Sequence, residues 1–172
     1  MTDLAMDCQG KMANLPGLDL IPREWLHLTV QGIGFTDEIP AADLGALTSA
    51  SRKRLAALEP VTVALGPVFV HDEAVVLPAK PATALTPVRD HLREAVASVL
   101  GPGRVRDGDG WVPHVSVAYS DGTGSATRII EALRPRFAPR TVTITELTLI
   151  SQERAGHCYR WETVTILPLG TP

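Results

Sequence analysis

The sequence predicts one domain of the α+β class, organised as two matching halves. Three observations predict this fold. Strand-like and helix-like segments follow one another in the order strand, helix, strand, strand, and the same order returns after a connecting helix. A histidine followed two residues later by threonine or serine lies in the first strand of each half, at His27–Thr29 and His114–Ser116. The 172 residues, 45% of them hydrophobic, suffice for one well-buried domain, and no low-complexity tract or linker divides them.

The first half covers about residues 25–80. Its helix is expected to begin near PAAD, with Asp43 in the first turn, and to end before Pro60. Leucines recur in it near the helical period. A turn at residues 71–73 joins the last two strands. The predicted elements are a strand at about 25–33, a helix at about 41–58 and strands at about 61–70 and 74–79.

A helix at about 84–100 connects the halves and ends at the GPG of residues 101–103. The second half covers about residues 111–168. We expect a strand in WVPHVSVAYS, a helix in SATRIIEALRPRF at 125–137, and strands in TVTITELTLIS at 141–151 and CYRWETVTIL at 158–167. Residues 1–172 are therefore predicted to be one internally duplicated domain.

The two histidine motifs present polar groups on one face of their segments. In an extended segment alternate residues share a face, so His27 and Thr29 point one way and their apolar neighbours the other. His114 and Ser116 repeat the pattern 114 − 27 = 87 residues later. A two-fold arrangement of the halves would bring the pairs face to face.

Charge and cysteine content narrow the class of partner. A formal net charge of −3 gives no field that would hold long nucleic acid by its backbone, so any nucleic-acid partner should be short or a terminus. Cys8 and Cys158 are the only cysteines, and the first residues lack the regions of a signal peptide. No apolar run approaches the roughly 18–20 residues of a membrane span. We expect a soluble cytoplasmic protein whose oligomeric state stays open.

Two imidazoles and two hydroxyls suit phosphodiester chemistry without a metal or other cofactor. One imidazole can take a proton while the other gives one, and the hydroxyls can donate hydrogen bonds to phosphate oxygens. Zinc is disfavoured because two ligands are too few and neither HExxH nor CxxC occurs. A Ser-His-Asp hydrolase is disfavoured because there is no GxSxG elbow.

HLTV at 27–30 and HVSV at 114–117 resemble the paired motifs of the two-histidine (2H) phosphoesterase superfamily. Within it, the chain is most similar to the 2′-5′ RNA ligase or RNA 2′,3′-cyclic phosphodiesterase group. LTLISQERAGHCYRWETVTILPL also resembles that group's closing hairpin, and the similarity runs from about Leu15 to the C-terminus.

The resemblance implies two pseudo-symmetric lobes, each an antiparallel sheet with outer helices, around a central cleft. It implies metal-independent hydrolysis of 2′,3′-cyclic phosphate at an RNA terminus or on a cyclic nucleotide, with reverse 2′-5′ ligation as a further activity. Carried over by position, His27 and His114 would be catalytic, and Thr29 and Ser116 would orient the phosphate. We take His27 as the general acid and His114 as the base.

The remaining expectations concern the N-terminus, the substrate contacts and alternative functions. Relatives begin with a strand before the first motif, whereas residues 1–20 show no clear strand, which would expose a sheet edge. Tyr119 and Tyr159 are our choices for base contact, and Arg154 for a substrate contact near His157. The alternatives are a non-catalytic module that binds nucleotides or RNA ends, and a 2H enzyme acting on a small-metabolite phosphodiester.

Overall fold

Antiparallel strands from both halves of the sequence join in one sheet. The computed structural model describes residues 2–106, 108, 110–122, 124–135 and 137–170. The strands are β1 Leu18–Leu20, β2 Val61–Leu65, β3 Phe69–Val70, β4 Ala74–Lys80, β5 His114–Ser120, β6 Arg140–Ile144, β7 Glu146–Ala155 and β8 Cys158–Pro168. The large sheet has the order β1-β5-β4-β2-β6, with β3 also paired to β4, and β7 and β8 form a separate hairpin.

Strand β4 gives the large sheet its curl. Its residues 74–78 pair with β5, whereas only its last two, Ala79 and Lys80, pair with β2. Most of β4 therefore pairs with β5, and its end pairs with β2, so the sheet bends along this strand. All pairings are antiparallel. The predicted α+β class is confirmed.

The helices lie close to where the periodicity predicts them. In α2, Asp43 in the first turn and the basic residues of the last turn complement the helix dipole, and α3 ends at Gly101, whose φ of 95° suits glycine. The helix predicted at 125–137 is reduced to the six residues of α4, and residue 136 lies outside the described residues. The helices are α1 Thr2–Met12, α2 Ala41–Leu55, α3 Thr86–Leu100 and α4 Thr127–Ala132.

Two predicted strands are each divided. Gly66, at a φ of 103°, and Pro67, which has no N–H to donate, separate β2 from β3 within the strand predicted at 61–70. The strand predicted at 141–151 becomes β6 and β7, which belong to different sheets. In both cases the apolar alternation of the sequence continues through the residues where one strand ends and the next begins.

The prediction of a strand at 25–33 is wrong. Arg23–Trp25 forms a turn of 3₁₀-helix, and beyond it only Leu28 pairs, in an isolated antiparallel bridge to Val115. β1 already occupies the other half of the same edge of β5, with Leu18 opposite Ser120. The first motif therefore meets only the remaining end of that edge and forms no ladder of its own.

The N-terminal segment covers the sheet edge that was expected, from the sequence, to be exposed. Residues 2–20 supply both α1 and β1, so a strand does precede the first motif. Gln9 is 5% exposed, and its Nε2 donates hydrogen bonds of 2.7 Å to the Ile21 carbonyl and 2.8 Å to the Val117 carbonyl. The main hydrophobic core forms between α1 and the sheet and includes Leu77 and Val115, both fully buried.

In the part of the chain that the structure describes, no helix combines the length and apolarity that crossing a membrane requires.

Candidate active site

The bridge between Leu28 and Val115 brings the two histidine motifs side by side. Residues opposite each other in an antiparallel pair point to the same face, and here that face is the core. The motif residues on either side of the bridge therefore point to the other face. Continuing the antiparallel pairing by one residue each way sets His27 beside Ser116, and Thr29 beside His114. This register places the four polar groups that the sequence singled out on one face of the paired segments.

Each motif histidine is anchored in the same way. His27 Nδ1 lies 2.8 Å from the Trp25 carbonyl, and His114 Nδ1 lies 2.8 Å from the Val112 carbonyl. A carbonyl can only accept, so Nδ1 must carry the proton in both rings. In the neutral form of both rings Nε2 is then the nitrogen without a proton, and so the position for proton transfer. The sequence could not show this anchoring because a backbone carbonyl two residues back provides it.

A residue that the sequence analysis did not single out contacts the first histidine. Gln152 on β7 donates its Nε2 amide hydrogen to His27 Nε2 across 3.3 Å. This contact joins residues 125 positions apart in the chain. The only sequence signal was a polar residue in the strand of the closing hairpin. The contact suits the neutral form of His27, which has a lone pair on Nε2.

The hairpin presents a row of polar and aromatic side chains on the same face as Gln152. Gln152 is opposite Trp161, and Arg154 is opposite Tyr159, in the β7–β8 register. The Arg154 guanidinium lies 5.8 Å from the centre of the Tyr159 ring. All four residues line one cavity of about 770 Å³, together with His27 and Thr29. Arg154 and Tyr159 therefore share a cavity with the first motif.

Tyr119 connects the second motif with this hairpin face. Its ring packs edge-on against Tyr159, with centroids 5.8 Å apart and planes at 71°. Burial raises the pKa of Tyr119, and its hydrogen bond with Ser116 offsets only part of that rise. The phenol therefore stays protonated at neutral pH. Tyr119, Ser116 and His114 lie outside the lining of the cavity.

His157 lies at the hairpin tip and is engaged elsewhere. Its Nδ1 is 2.6 Å from a carboxylate oxygen of Asp19, and both side chains are largely exposed. This contact holds the tip of the hairpin against β1. Among the described residues, no group of three or more His, Cys, Asp or Glu side chains is placed to hold a metal ion.

A family comparison identifies the class of protein. The model of the 2′-5′ RNA ligase superfamily matches residues 9–156 of this chain. The chain belongs to the 2′-5′ RNA ligase superfamily. The resemblance to the 2H phosphoesterase superfamily is thereby confirmed, and both histidine motifs lie inside the matched region.

Solved structures share the fold of this 2′-5′ RNA ligase superfamily member. TT0787 of Thermus thermophilus is 18% identical, with a TM-score of 0.75 over 98% of this chain and 91% of that chain. A phosphoesterase is 18% identical, with a TM-score of 0.72 over 99% and 94%. E. coli LigT complexed with 3′-AMP is 18% identical, with a TM-score of 0.70 over 99% and 94%. At this identity the likeness concerns the fold. No curated protein matches the sequence.

Proposed function

We propose that this 2′-5′ RNA ligase superfamily member opens 2′,3′-cyclic phosphates at RNA ends or on nucleotides without a metal. His27 and His114 transfer the protons, and Thr29 and Ser116 hold the phosphate. The superfamily is one of phosphoesterases, which supports an enzyme. E. coli LigT has been solved with ATP, NADP+ and 3′-AMP, which supports a nucleotide as the ligand here. The net charge of −3 favours a terminus over a long duplex.

The matched anchoring of the two histidines carries the proposal. A general acid and a general base must each offer a ring nitrogen to the substrate, one with a proton and one without. Both rings here have Nδ1 fixed by a carbonyl at 2.8 Å, which leaves Nε2 for the reaction. A structural role for either ring would not require this repeated arrangement on one face of a bridged pair of segments.

The Gln152 contact favours one direction of proton transfer. Its amide donates to His27 Nε2, which requires a lone pair on that nitrogen, and a nitrogen with a lone pair is the one that can accept a proton. We therefore assign His27 as the base and His114 as the acid, the reverse of the expectation from sequence. His27 takes a proton from the attacking water, whose oxygen bonds to phosphorus. His114 gives a proton to the ribose oxygen as its bond to phosphorus breaks.

The two hydroxyls have an electrostatic role. Negative charge grows on the non-bridging oxygens as phosphorus becomes five-coordinate, and Thr29 and Ser116 can donate hydrogen bonds to them. With a ribose 5′-hydroxyl in place of the attacking water, the same two proton transfers would join RNA ends through a 2′-5′ linkage, because the 5′ oxygen bonds to phosphorus as the bond from phosphorus to the 3′ oxygen breaks.

Turnover in the presence of EDTA tests the proposal. Wild type, His27→Ala and His114→Ala are incubated with nucleoside 2′,3′-cyclic phosphates and with an oligonucleotide ending in a cyclic phosphate. We expect wild type to open the ring and each variant to lose about 10²- to 10⁴-fold in rate, as is typical when a general acid or base is removed. The position of the product phosphate identifies the oxygen that leaves.

His91→Ala is the matched control. His91 Nδ1 also lies 2.8 Å from a carbonyl, that of Pro87, but the ring is on α3 away from the motifs. We expect this variant to keep wild-type activity. Full activity in both motif variants would overturn the catalytic assignment. Nucleotide binding without turnover by a folded wild type would indicate a binding module, and a requirement for added divalent metal would contradict the mechanism.

A further inference from the structure

A β-bulge in the strand of the second histidine motif changes which side chains face the candidate active site. In the β4–β5 register, Val76 is opposite Ser116. The next pair joins Val75 to Ala118, so Val117 is an extra residue on β5. Val117 and Ala118 are both fully buried. An extra residue reverses the alternation of the side chains that follow it, and bulges beside active sites commonly re-aim one of them.

The bulge turns Tyr119 to the same face as the motif residues. Regular alternation would place Tyr119 in the core with Val115, which is fully buried. Instead, the β4 partners of His114, Ser116 and Tyr119 are residues 78, 76 and 74. These three alternate along β4 and share one face, and residues opposite each other in an antiparallel pair point the same way. His114, Ser116 and Tyr119 therefore lie on one face of β5.

The Tyr119 phenol is held next to the Ser116 hydroxyl. Its ring packs edge-on against Tyr159 of the hairpin, with centroids 5.8 Å apart, and the Ser116 hydroxyl is within hydrogen-bonding reach of the phenol. The Tyr119 side chain is partly exposed, so a ligand on this face can meet it. Because burial raises the pKa of Tyr119, the phenol keeps its proton at neutral pH and can donate it in a hydrogen bond.

The charges near Tyr119 favour an anionic ligand. The Arg154 guanidinium is close enough for its charge to act on the Tyr119 hydroxyl. Among the described residues, Arg154 forms no ion pair. Asp19 is opposite Tyr119 on β1, but its carboxylate lies 2.6 Å from His157 Nδ1 at the hairpin tip. A phosphate beside Tyr119 would therefore find two hydroxyl donors and one guanidinium.

We propose that Tyr119 is a catalytic residue whose phenol donates a hydrogen bond to a non-bridging oxygen of the substrate phosphate, beside the Ser116 hydroxyl. This inference rests on the proposed function. It differs from the base contact expected from the sequence, because the bulge places the phenol next to a hydroxyl that is proposed to hold the phosphate. A neutral donor held in place suits an oxygen whose negative charge grows as phosphorus becomes five-coordinate.

Tyr119→Phe tests the assignment because it keeps the aromatic ring and removes only the hydroxyl. Rates are measured with adenosine and cytidine 2′,3′-cyclic phosphates and with glycerol 1,2-cyclic phosphate, which has the same cyclic phosphate and no base. We expect kcat to fall about 10- to 1,000-fold, by a similar factor on all three substrates. A loss confined to the two nucleotides would indicate a base contact and overturn the proposal, and an unchanged kcat would overturn it as well.

Thr62→Val is the matched control. The Thr62 hydroxyl also bonds to another hydroxyl, that of Thr143 at 3.0 Å, but Thr62 is exposed on β2 and does not line the cavity. We expect this variant to keep wild-type kcat on all three substrates. A loss equal to that of Tyr119→Phe would mean that removing any such hydroxyl has this effect, and would overturn the proposal.

A binding measurement separates this proposal from the proposed function. Calorimetric titration with inorganic phosphate requires no turnover. We expect Tyr119→Phe to bind phosphate about 10- to 100-fold more weakly than wild type, because a hydrogen bond to a charged group is lost. If wild type opens no cyclic phosphate, this difference would still support the phosphate contact, and equal affinities would overturn it.

Discussion

Replacing Gln152 by glutamate tests which motif histidine accepts the proton. The Gln152 amide donates to His27 Nε2 at 3.3 Å, a contact that requires an unprotonated Nε2. A carboxylate at the same position has no hydrogen to donate. It attracts the imidazolium instead, so Gln152→Glu should stabilise protonated His27 relative to the neutral ring.

The expected size of the effect follows from the exposure of the contact. Gln152 lies at the protein surface, where a carboxylate–imidazolium pair contributes about 0.2–1 kcal/mol. Since 1.36 kcal/mol corresponds to one pH unit, the affected limb of the pH–rate profile should move by roughly 0.2–0.7 units. If His27 is the base, the acidic limb of kcat/KM should move to higher pH and the alkaline limb should stay, because the base acts only when it is neutral.

The assay is kcat/KM against pH for wild type, Gln152→Glu and the double variant Gln152→Glu/Glu153→Gln. Glu153 lies on the opposite face of the hairpin, so the double variant restores the net charge and leaves the new contact with His27 intact. We expect both variants to show the same displacement. A displacement of the alkaline limb alone would make His27 the acid and refute the assigned polarity. An unchanged profile would refute the role of the Gln152 contact in the working enzyme.

Three further predictions concern the phosphate site and the stability of the fold. Thr29→Val keeps the shape of the side chain and removes the hydroxyl. We expect about a 10- to 1,000-fold loss in kcat with an unchanged thermal unfolding temperature. An unchanged kcat would contradict a role of this hydroxyl in charge stabilisation. Gln9→Leu leaves the carbonyls of Ile21 and Val117 without their buried donor, so the free energy of unfolding, measured in urea, should fall by about 1–3 kcal/mol. An unchanged value would mean that this pair of hydrogen bonds does not hold α1 in place. Burial raises the pKa of Cys8 from 9.0 to about 11, so the native state holds the thiol proton more tightly than the unfolded chain. Stability should therefore decline as pH rises from about 9 to about 11, by up to about 3 kcal/mol, and Cys8→Ala should lack this decline in denaturant titrations across that range.

The sequence predicted the regular elements well where burial and local pattern agree. Strand β5 alternates buried valines with the polar motif residues, and α2 and α3 repeat apolar residues near the helical period. It failed at 25–33, where alternation continues but β1 occupies half of the available strand edge. It also missed α1, whose buried face mixes Leu4 and Met12 with the small Ala5 and the polar Gln9. The polar residue and the short length of 11 residues weaken the apolar pattern of this helix.

The two histidine motifs of the candidate site could be singled out from the sequence, whereas their surroundings could not. His27 and His114 could be chosen because each recurs with a hydroxyl residue in matched segments. Gln152 could not, because its contact with His27 depends on the packing of the hairpin against a segment more than a hundred residues away. A pattern within one segment carries no information about which distant strand will face it.

The backbone carbonyls that accept hydrogen bonds from the two histidines leave the side chains around them free to vary. In many hydrolases a carboxylate elsewhere in the chain orients the histidine, so the ring depends on a distant side chain. Here Trp25 and Val112 orient the rings through main-chain oxygens, which any amino acid would supply at those positions. Each motif thus orients its own histidine without help from a distant side chain. The walls around it, above all the face of the β7–β8 hairpin, can then be altered to suit a different alcohol or base without disturbing the tautomer of either ring.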